Sequence, residues 1–495
     1  MMEGADMPSA TLGRIVQTEH EPLIITPNIK RLTAYVAESL KERVGESSFL
    51  VAEGEDGGPV LLCRVKRIES FPKASSIIFR AQSEFVTRLE LEPIGQITSL
   101  GISPMPNHDF HNYKLRWASP DELRVCYGVP TEGLLCGDLM ADQDTPVIPY
   151  RVPSELLYRS LFICGAKGSG KTTCLRSLLP NFVCKDSGNI SNPSIVILDV
   201  EGEFSQQSIV KRFVDAGAET NLRIISTDPG MATSTLSLPQ VHYEHFAYFA
   251  PDLPLPSLTA LESIYKQLLF SYRERGIVRR AEDVLKDIRE AAWRQPGIHT
   301  SQREAIVRVT MSGLFSMFDQ ENLPPLLPED LVKPGRVSII DVSSLTDDQQ
   351  RVVALYLLST FATYKTRSQD STGLLLVMDE AQKLFPHRGD LKKDYAHRLA
   401  RFVSGIVHRG RRRRYGVVLA TQYPSDVSKE VVELCDTKIV FKMSGPIDWL
   451  KMTLGGSGFA RSASELSVGE AYVVSTGLNI QQPARVRFPA VETSE

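Results

Sequence analysis

Apolar residues in the first 145 positions occur in short runs that are separated by turn residues. The runs cover 13–18, 22–27, 47–54, 58–70, 76–82, 95–101 and 121–128. Short β-rich runs at regular spacing are typical of small all-β domains. We therefore predict a β-barrel or β-sandwich over 1–145, interrupted by one amphipathic helix at 29–44, where the apolar residues follow helical spacing.

From about residue 150 the pattern changes to strongly apolar strands that alternate with longer helical segments. The strand runs cover 160–165, 193–200, 222–227, 336–345, 373–380, 415–422, 437–443 and 470–475. Nearly continuous apolar strands are buried on both faces, as in a parallel sheet that is covered by helices. The pattern therefore predicts an α/β domain built around a parallel sheet.

Helical spacing replaces the strand pattern between residues 233 and 334, where Leu258, Leu261 and Ile264 fall on one helix face. The helical segments are 257–276, 281–295, 303–318 and, back in the sheet region, 346–367. The predicted organisation is 1–145, β-domain; 146–232, first part of the α/β core; 233–334, helical insertion; 335–480, second part of the core; 481–495, short tail.

Composition bounds the class of protein without identifying it. The chain has 495 residues, which is more than one compact core holds. Its 56 basic and 59 acidic residues give a net charge of −3. A nucleic-acid partner therefore cannot be argued from overall charge and requires a local basic patch, such as the arginine-rich stretch at 408–414.

The sequence carries no sign of export or membrane insertion. The seven cysteines form no Cys-x-x-Cys pair, which favours buried and reduced thiols. The first residues lack the basic region and apolar run of a secretory signal. No apolar stretch approaches the roughly 20 residues of a membrane span. We expect a cytoplasmic protein without a membrane partner.

The strongest chemical motif is GAKGSGKTT, which follows the apolar run at 160–165 and fits G-x-x-x-x-G-K-[ST]. Its residues are Gly165, Ala166, Lys167, Gly168, Ser169, Gly170, Lys171, Thr172 and Thr173. Glycines let backbone N–H groups approach phosphate oxygens, and the following helix directs its positive dipole end toward them. Lys171 adds a charge at the β- and γ-phosphates, and the Thr172 hydroxyl is expected to bind Mg²⁺. We predict a P-loop site for ATP and Mg²⁺.

A second motif is GLLLVMDE at 373–380, an apolar strand that ends in two acids. This is a Walker B pattern, in which Asp379 would belong to the Mg²⁺ shell. Glu380 would polarise the attacking water as a general base. Because many strands end in an acid, the pattern gains its meaning from the P-loop upstream.

Two further strand ends carry polar residues. The strand at 193–200 leads into Asp199 and Glu203, and we expect it to lie beside the P-loop strand, where these acids would assist the metal or its water. The strand at 415–422 ends in Gln422, which would sense the γ-phosphate from the middle of the sheet. The alternatives are a solvated strand end for the acids and a turn residue for Gln422.

Five arginines occur at 408–414, where a helix predicted over 390–410 returns to the strand at 415–422. A site with a P-loop lysine still lacks a second cation for the charge of the transition state. An arginine finger of this kind contributes about 10³–10⁵ in rate. The run would lie at the rim of the sheet, near a subunit boundary. The alternative is a solvated surface patch.

Together these motifs resemble the HerA/FtsK superfamily of ring-forming P-loop DNA translocases, and the HerA family in particular. The matching stretches are LFICGAKGSGKTT, ILDVEGEF, VMDEAQKLFP, HRGRRRRYGVVLATQYPSDV and LSVGEAYVV, in that order across 150–480. The resemblance implies a RecA-like P-loop NTPase core with an N-terminal HAS-type β-barrel and a helical insertion. It also implies a homohexamer with ATP sites between subunits.

The resemblance keeps the roles given above for the P-loop, the Walker B acids and Gln422. It places Arg411 at the family's arginine finger, which acts on the nucleotide of the neighbouring subunit. It places Arg159 at a second arginine that contacts phosphate. In one departure, Gln382 occupies the position after Glu-Ala where the family usually has histidine.

DNA contact is expected from the loop after the Walker B motif, PHRGDLKKDY, through Arg388, Lys392 and Lys393. A ring repeats such a loop once per subunit, so a few charges make a basic pore even at a net charge of −3. Contacts of this kind are directed to phosphates, independent of sequence and sensitive to salt. A solvated loop is the alternative.

The first hypothesis for function is a motor in which ATP hydrolysis drives double-stranded DNA through the ring. The DNA would be fed to a NurA-like partner nuclease in end resection, or to an effector in antiphage defence. The second hypothesis is a scaffold or switch for an effector docked on the barrel, without processive translocation. A third, an ATPase that moves protein or conjugative DNA at a membrane, is disfavoured because we find no membrane segment.

Overall fold

The computed structural model describes residues 13–15, 32–37, 48–54, 57–72, 85–99, 101–106, 108, 110, 113–140, 146–183, 192–228, 230–250, 253–368, 370–385, 402–406, 409–410, 412–476 and 483–489. The chain divides into two compact units. Met1–Thr131, Cys136–Arg151 and Leu478–Phe488 form the first, and Glu132–Leu135, Val152–Gly477 and Pro489–Glu495 form the second.

The first unit is built mainly from antiparallel strands. In chain order its elements are β1 (Gly13–Ile15), β2 (Leu32–Ala37), β3 (Phe49–Glu53), β4 (Leu61–Pro72), β5 (Phe85–Thr98), β6 (Gly101–Ser103), β7 (Lys114–Trp117), α1 (Pro120–Cys126), β8 (Leu134–Met140), β9 (Pro146–Val152) and, near the end of the chain, β18 (Ala484–Arg487). Seven strands follow the order β2-β1-β7-β3-β4-β5-β6, and β2 also pairs with β5. This extra pairing closes the sheet on itself. Its assignment to the HAS type stays a prediction.

The helix predicted at 29–44 is wrong for the part that the structure describes. Residues 32–37 form β2 and pair with β5 in antiparallel register. Leu32, Ala34 and Val36 are all buried, so the apolar residues alternate with a period of two. Pairing with β5 therefore outweighs the helical spacing of the longer segment.

The strand predicted at 121–128 is also wrong, because this segment contains the helix α1. Ser119 and Glu122 form a capping box: Glu122 N donates to Ser119 Oγ at 3.3 Å, and Ser119 N donates to Glu122 Oε2 at 2.8 Å. Leu123 and Cys126 are the buried residues of the helix. Ser-x-x-Glu is a sequence signature of a helix start, and it outweighs the short β-like run that follows.

The second unit is an α/β domain. Its strands are β10 (Leu161–Cys164), β11 (Ser194–Asp199), β12 (Glu219–Ile224), β13 (Arg336–Asp341), β14 (Leu374–Met378), β15 (Tyr415–Thr421), β16 (Thr437–Phe441) and β17 (Glu470–Ser475). They follow the order β12-β13-β11-β14-β15-β10-β16-β17, and only the last pair is antiparallel. Every residue of β11, β14 and β15 is buried. The predicted α/β fold is confirmed.

One predicted neighbour in the sheet is wrong. β11 does not lie beside β10, the strand that precedes the P-loop; β14 and β15 lie between them. β11 pairs instead with β13 and β14. Consecutive strands are adjacent only about two-thirds of the time, and the apolar pattern of a strand carries no information about its neighbours.

Helices cover the sheet and fill the chain between β12 and β13. They are α2 (Lys171–Val183), α3 (Gln207–Asp215), α4 (Tyr243–Phe246), α5 (Leu255–Arg275), α6 (Ala281–Arg294), α7 (Thr300–Thr310), α8 (Pro328–Leu331), α9 (Asp347–Arg367), α10 (Ala381–Leu384), α11 (Lys429–Glu433), α12 (Ile447–Leu454) and α13 (Ser457–Ser462). Side chains of α5, α6 and α9 share one apolar core with the strands. Within the described residues, no helix is both long and apolar enough to cross a bilayer.

A partly buried histidine makes the stability of the second unit depend on pH. The ring of His245 lies against Phe402, with centroids 4.5 Å apart, and its Nδ1 shares a 2.6 Å hydrogen bond with Ser359 Oγ. Burial, reinforced by the charges of His242 and Arg409, lowers its pKa from 6.5 to about 4. The folded chain therefore holds a neutral ring at pH values where the unfolded chain takes up a proton.

We expect this residue alone to remove about 2 kcal/mol from the free energy of unfolding between about pH 7.5 and about pH 5. His245→Phe keeps a ring in the same place and cannot be protonated. Its melting temperature should therefore fall less over this pH range than that of the unmodified chain. The exposed His299, replaced by asparagine, is the control. An unchanged pH dependence in His245→Phe would contradict the assignment.

Candidate functional site

The loop between β10 and α2 follows a path that requires glycine. Gly168 and Gly170 have φ angles of +75° and +108°, which side chains rarely adopt. A Cβ atom at Gly165 would lie 2.5 Å from the Cβ atom of Phe441. Ser169 Oγ is buried, and no described residue hydrogen-bonds to it. The loop is therefore shaped as a backbone cradle with a polar atom left for a ligand, and it fits a bound phosphate chain.

Lys171 is the first residue of α2, and its ammonium group turns back toward the loop. Nζ donates to Gly165 O at 2.8 Å and to Ala166 O at 3.1 Å, and the residue is 6% exposed. Burial lowers its pKa, whereas the charges of Asp379 and Glu380 oppose this effect. The lysine and the two acids therefore share one electrostatic environment.

The order of three neighbouring strands assembles the site. β14 ends just before Asp379, β15 ends just before Gln422, and β10 ends just before Gly165. In the order β14-β15-β10 the three parallel strands are neighbours, so their carboxyl ends meet at one edge. This edge is where α/β sheets bind ligands. Thr172 and Thr173 lie half-buried in the first turn of α2, and Lys167 is exposed on the loop.

The two Walker B acids are held differently. Burial raises the pKa of Asp379 to about 6, and its Oδ1 accepts the backbone N–H of Glu380 at 2.8 Å. Glu380 has φ of +50° and ψ of +45°, a left-handed conformation. For a residue other than glycine, strain of this kind costs about 1–3 kcal/mol and concentrates at functional sites. A divalent cation would favour the ionised form of Asp379, and the Thr172 hydroxyl is the second candidate ligand.

The Glu380 carboxylate is fixed by two side-chain amides. Gln422 Nε2 donates to Oε1 at 2.7 Å, and Gln382 Nε2 donates to Oε2. Thr421 Oγ1 in turn donates to Gln382 Oε1 at 2.5 Å. In the sequence, Gln382 stands out only as a departure from the family's histidine, and the predicted sensor at the end of this strand is Gln422 rather than Thr421. The sequence does place a polar residue at the carboxyl end of each strand, Gln382 after β14 and Thr421 at the end of β15. These two strands are neighbours in the sheet.

Asp199 and Glu203 have separate surroundings. The Asp199 carboxylate accepts backbone N–H groups of Glu203, Phe204 and Ser205 at 2.8–2.9 Å, so it fixes the loop that follows β11. Glu203 Oε2 lies 3.0 Å from a guanidinium nitrogen of Arg176 in α2. The charge of Glu203 also acts on Lys171 and Asp379. Asp199 therefore supports the loop, and Glu203 is the acid closer to the P-loop.

The described arginines before β15 lie at the opposite, amino edge of the sheet. Arg409 Nε donates to Gly405 O at 2.9 Å, Arg413 donates to Thr366 Oγ1, and the Arg414 guanidinium lies 5.5 Å from the ring centre of Tyr158. Arg159 occupies the same edge, just before β10, with a guanidinium nitrogen 3.6 Å from Asp436 Oδ2. β15 spans seven residues, so about 20 Å of strand separates these arginines from Gln422.

Four predicted site residues lie outside the described residues. They are the candidate finger Arg411 and the candidate DNA contacts Arg388, Lys392 and Lys393. Their roles stay predictions.

Two family models match the chain. Residues 135–361 match the central domain of helicase HerA, and residues 338–447 match the zonular occludens toxin (Zot) family. The DNA double-strand break repair helicase HerA of Pyrococcus furiosus is 22% identical over 420 residues, which is 75% of this chain and 72% of that protein. HerA of Sulfurisphaera tokodaii is 29% identical over 175 residues, 33% of each chain.

Solved structures share the fold at low sequence identity. VirB4 of Thermoanaerobacter pseudethanolicus superposes with a TM-score of 0.51 at 15% identity, covering 73% of this chain and 98% of that one. The plasmid coupling protein TrwB, in complex with ADP and Mg²⁺, gives a TM-score of 0.52 at 14% identity, covering 76% of this chain and 93% of that one. The P-loop, the Walker B acids and the similarity to HerA show that the chain is an ATP hydrolase, and its central part is similar to that of helicase HerA.

Proposed function

We propose that this chain is a DNA translocase that works as a homohexameric ring with ATP bound between subunits. The observation that carries the proposal is the separation of the two halves of the site. The P-loop and Glu380 lie at the carboxyl edge of the sheet, whereas Arg159 and the described arginines of the run at 408–414 lie at its amino edge. One chain cannot bring both to the same phosphate, but a head-to-tail ring brings the arginines of one subunit to the nucleotide of the next.

Within one subunit the residues have distinct roles in hydrolysis. The P-loop backbone and Lys171 hold the β- and γ-phosphates. Thr172 and Asp379 would hold Mg²⁺, which neutralises charge on the phosphates when bound. Glu380 accepts a proton from the attacking water, and Gln422 responds to the γ-phosphate through its hydrogen bond to Glu380. TrwB, which shares the fold, was solved with ADP and Mg²⁺, and this supports the use of a nucleotide and Mg²⁺ here.

The neighbouring subunit completes the site. Arg411 is proposed as the finger that stabilises the transition-state charge, and Arg159 as a second phosphate contact from the same edge. Arg409, Arg413 and Arg414 contact their own chain, which supports a role in fixing the position of the segment.

Double-stranded DNA is the proposed substrate of translocation. The names of the HerA relatives, which are DNA double-strand break repair helicases, favour this substrate. A loop repeated around the pore would contact the DNA phosphates through Arg388, Lys392 and Lys393. A NurA-like nuclease, or an effector in antiphage defence, would dock on the barrel and receive the DNA. The partner, and not the ATP site of this chain, would carry out the nuclease or effector reaction.

Neutralising Lys392 and Lys393 together as Lys→Gln tests the proposed substrate. We expect basal ATP hydrolysis to be retained and its stimulation by double-stranded DNA to be lost, because these lysines would bind phosphates. The dependence of DNA affinity on salt should also weaken, since each lost phosphate contact removes about 0.9 from the slope of log K against log salt.

The control variant replaces two exposed lysines elsewhere in the second unit, Lys286 and Lys429, with glutamine. It should keep full DNA stimulation and the original salt slope. If the Lys392 and Lys393 variant keeps its DNA stimulation, this loop is not the DNA contact. If it loses DNA stimulation and a docked effector still works normally, the scaffold hypothesis is favoured over the motor.

A further inference from the structure

The side-chain amide of Gln382 connects the Walker B acid to the end of the neighbouring strand. Its Nε2 donates to Glu380 Oε2, and its Oε1 accepts the Thr421 hydroxyl at 2.5 Å. Thr421 is fully buried at the last position of β15, and Glu380 is 8% exposed. The contact therefore joins the ends of β14 and β15 inside the protein, where water competes little for these groups.

The direction of each hydrogen bond in this chain of contacts is fixed by chemistry. An ionised carboxylate only accepts hydrogen bonds, so the NH₂ end of Gln382 must face Glu380. Thr421 Oγ1 accepts the backbone N–H of Tyr423 at 3.1 Å, which leaves its own proton to be donated to Gln382 Oε1. The Thr421 hydroxyl can donate this proton to Oε1, so it supports the amide orientation that the Glu380 carboxylate requires.

Glu380 needs such support because its backbone adopts a left-handed conformation, which residues other than glycine rarely adopt. The residue is left-handed, and its second oxygen is bound by Gln422 at 2.7 Å. With one amide on each oxygen, the carboxylate cannot rotate without breaking a hydrogen bond. A general base must stay within hydrogen-bond reach of the water that it activates, and a misplacement of about 1 Å lowers the rate about 10²-fold.

We propose that Gln382 is a positioning residue for Glu380 and that the Thr421 hydroxyl anchors the other end of its amide. This inference rests on the proposed role of Glu380 as the general base. Gln382 touches neither the nucleotide nor the metal in this role and acts only through the carboxylate. Its loss should therefore lower kcat and leave the KM for ATP unchanged.

The test compares Gln382→Leu and Thr421→Val with their conservative partners. Gln382→Leu and Thr421→Val remove the donors while keeping similar shapes, and each should lower kcat about 10²-fold. Gln382→His retains a ring N–H donor and Thr421→Ser retains the hydroxyl, so both should recover most of this loss. The double variant Gln382→Leu/Thr421→Val should be no slower than Gln382→Leu alone, because the two residues act in one chain of contacts.

Melting temperature and the Kd for a fluorescent ADP analogue report on folding and nucleotide binding separately. A purely structural role would lower the melting temperature or weaken nucleotide binding along with kcat, and would overturn the proposal. Additive losses in the double variant would also overturn it. If Glu380→Gln is inactive while Gln382→Leu and Thr421→Val keep the wild-type kcat, this inference fails and the proposed function stands. If Glu380→Gln stays active, the proposed base itself is wrong.

Discussion

Glu380→Gln is expected to bind ATP with an unchanged Kd and to hydrolyse it about 10²–10⁴-fold more slowly. The replacement keeps the shape of the side chain and the P-loop with Lys171, so binding is preserved. It removes the carboxylate that would accept a proton from water. It also leaves one of the two amide donors, Gln382 or Gln422, facing another NH₂ group, because the new side chain has only one accepting oxygen.

The measurement is phosphate release in a single turnover, together with a titration of a fluorescent ATP analogue. Glu433→Gln, an exposed acid on α11, is the matched control and should hydrolyse ATP normally. Near-normal turnover by Glu380→Gln with intact binding would mean that another group activates the water. Glu203 would then be the first alternative, because its charge acts on both Lys171 and Asp379.

The parts of this fold that could be predicted from the sequence are those that local pattern determines. β14 and β15 can be recognised from the sequence because nearly all of their residues are apolar, as expected of strands that are buried on both faces. The P-loop is recognisable because its glycines are required by left-handed backbone and by the close approach of Phe441. In each case the residues of one short segment are sufficient to determine its structure.

The order of the strands could not be predicted in this way. β11 was expected beside β10, yet β14 and β15 lie between them. The pairing of β2 with β5 turned an apparently helical segment into a strand, and this pairing joins residues 49 to 59 positions apart. Strand order and strand pairing depend on the free energy of the whole sheet. They cannot be predicted from any single run of residues.

The arrangement around Glu380 was out of reach for the same reason. Gln382 and Thr421 are 39 positions apart, and their contact exists only because β14 and β15 are neighbours. The sequence motifs indicate the acid and the polar strand end separately. Only the sheet order and the side-chain conformations show that an amide and a hydroxyl connect them.

Arg411→Ala is expected to lose about 10³–10⁵ in hydrolysis rate, and to regain part of it when mixed with Lys171→Ala chains. Each variant alone has a defective half at every interface. In a mixed ring, a P-loop from an Arg411→Ala chain can face an intact arginine from a Lys171→Ala chain. At equal proportions and with random assembly, about one quarter of head-to-tail interfaces are then complete, so about one quarter of the wild-type rate should return.

A second mixture shows whether such recovery reports on the geometry of the site. Lys171→Ala and Glu380→Gln both damage the half of the site at the carboxyl edge of the sheet, so no interface in their mixed ring has an intact P-loop and an intact base together. This mixture should stay inactive at every ratio, while the first recovers with a maximum near equal proportions. Recovery in both mixtures would place Glu380 and Lys171 in different halves. If neither mixture recovers activity, Arg411 is not the residue that the neighbouring subunit contributes. The two edges of one sheet would then not contribute to two different nucleotide sites.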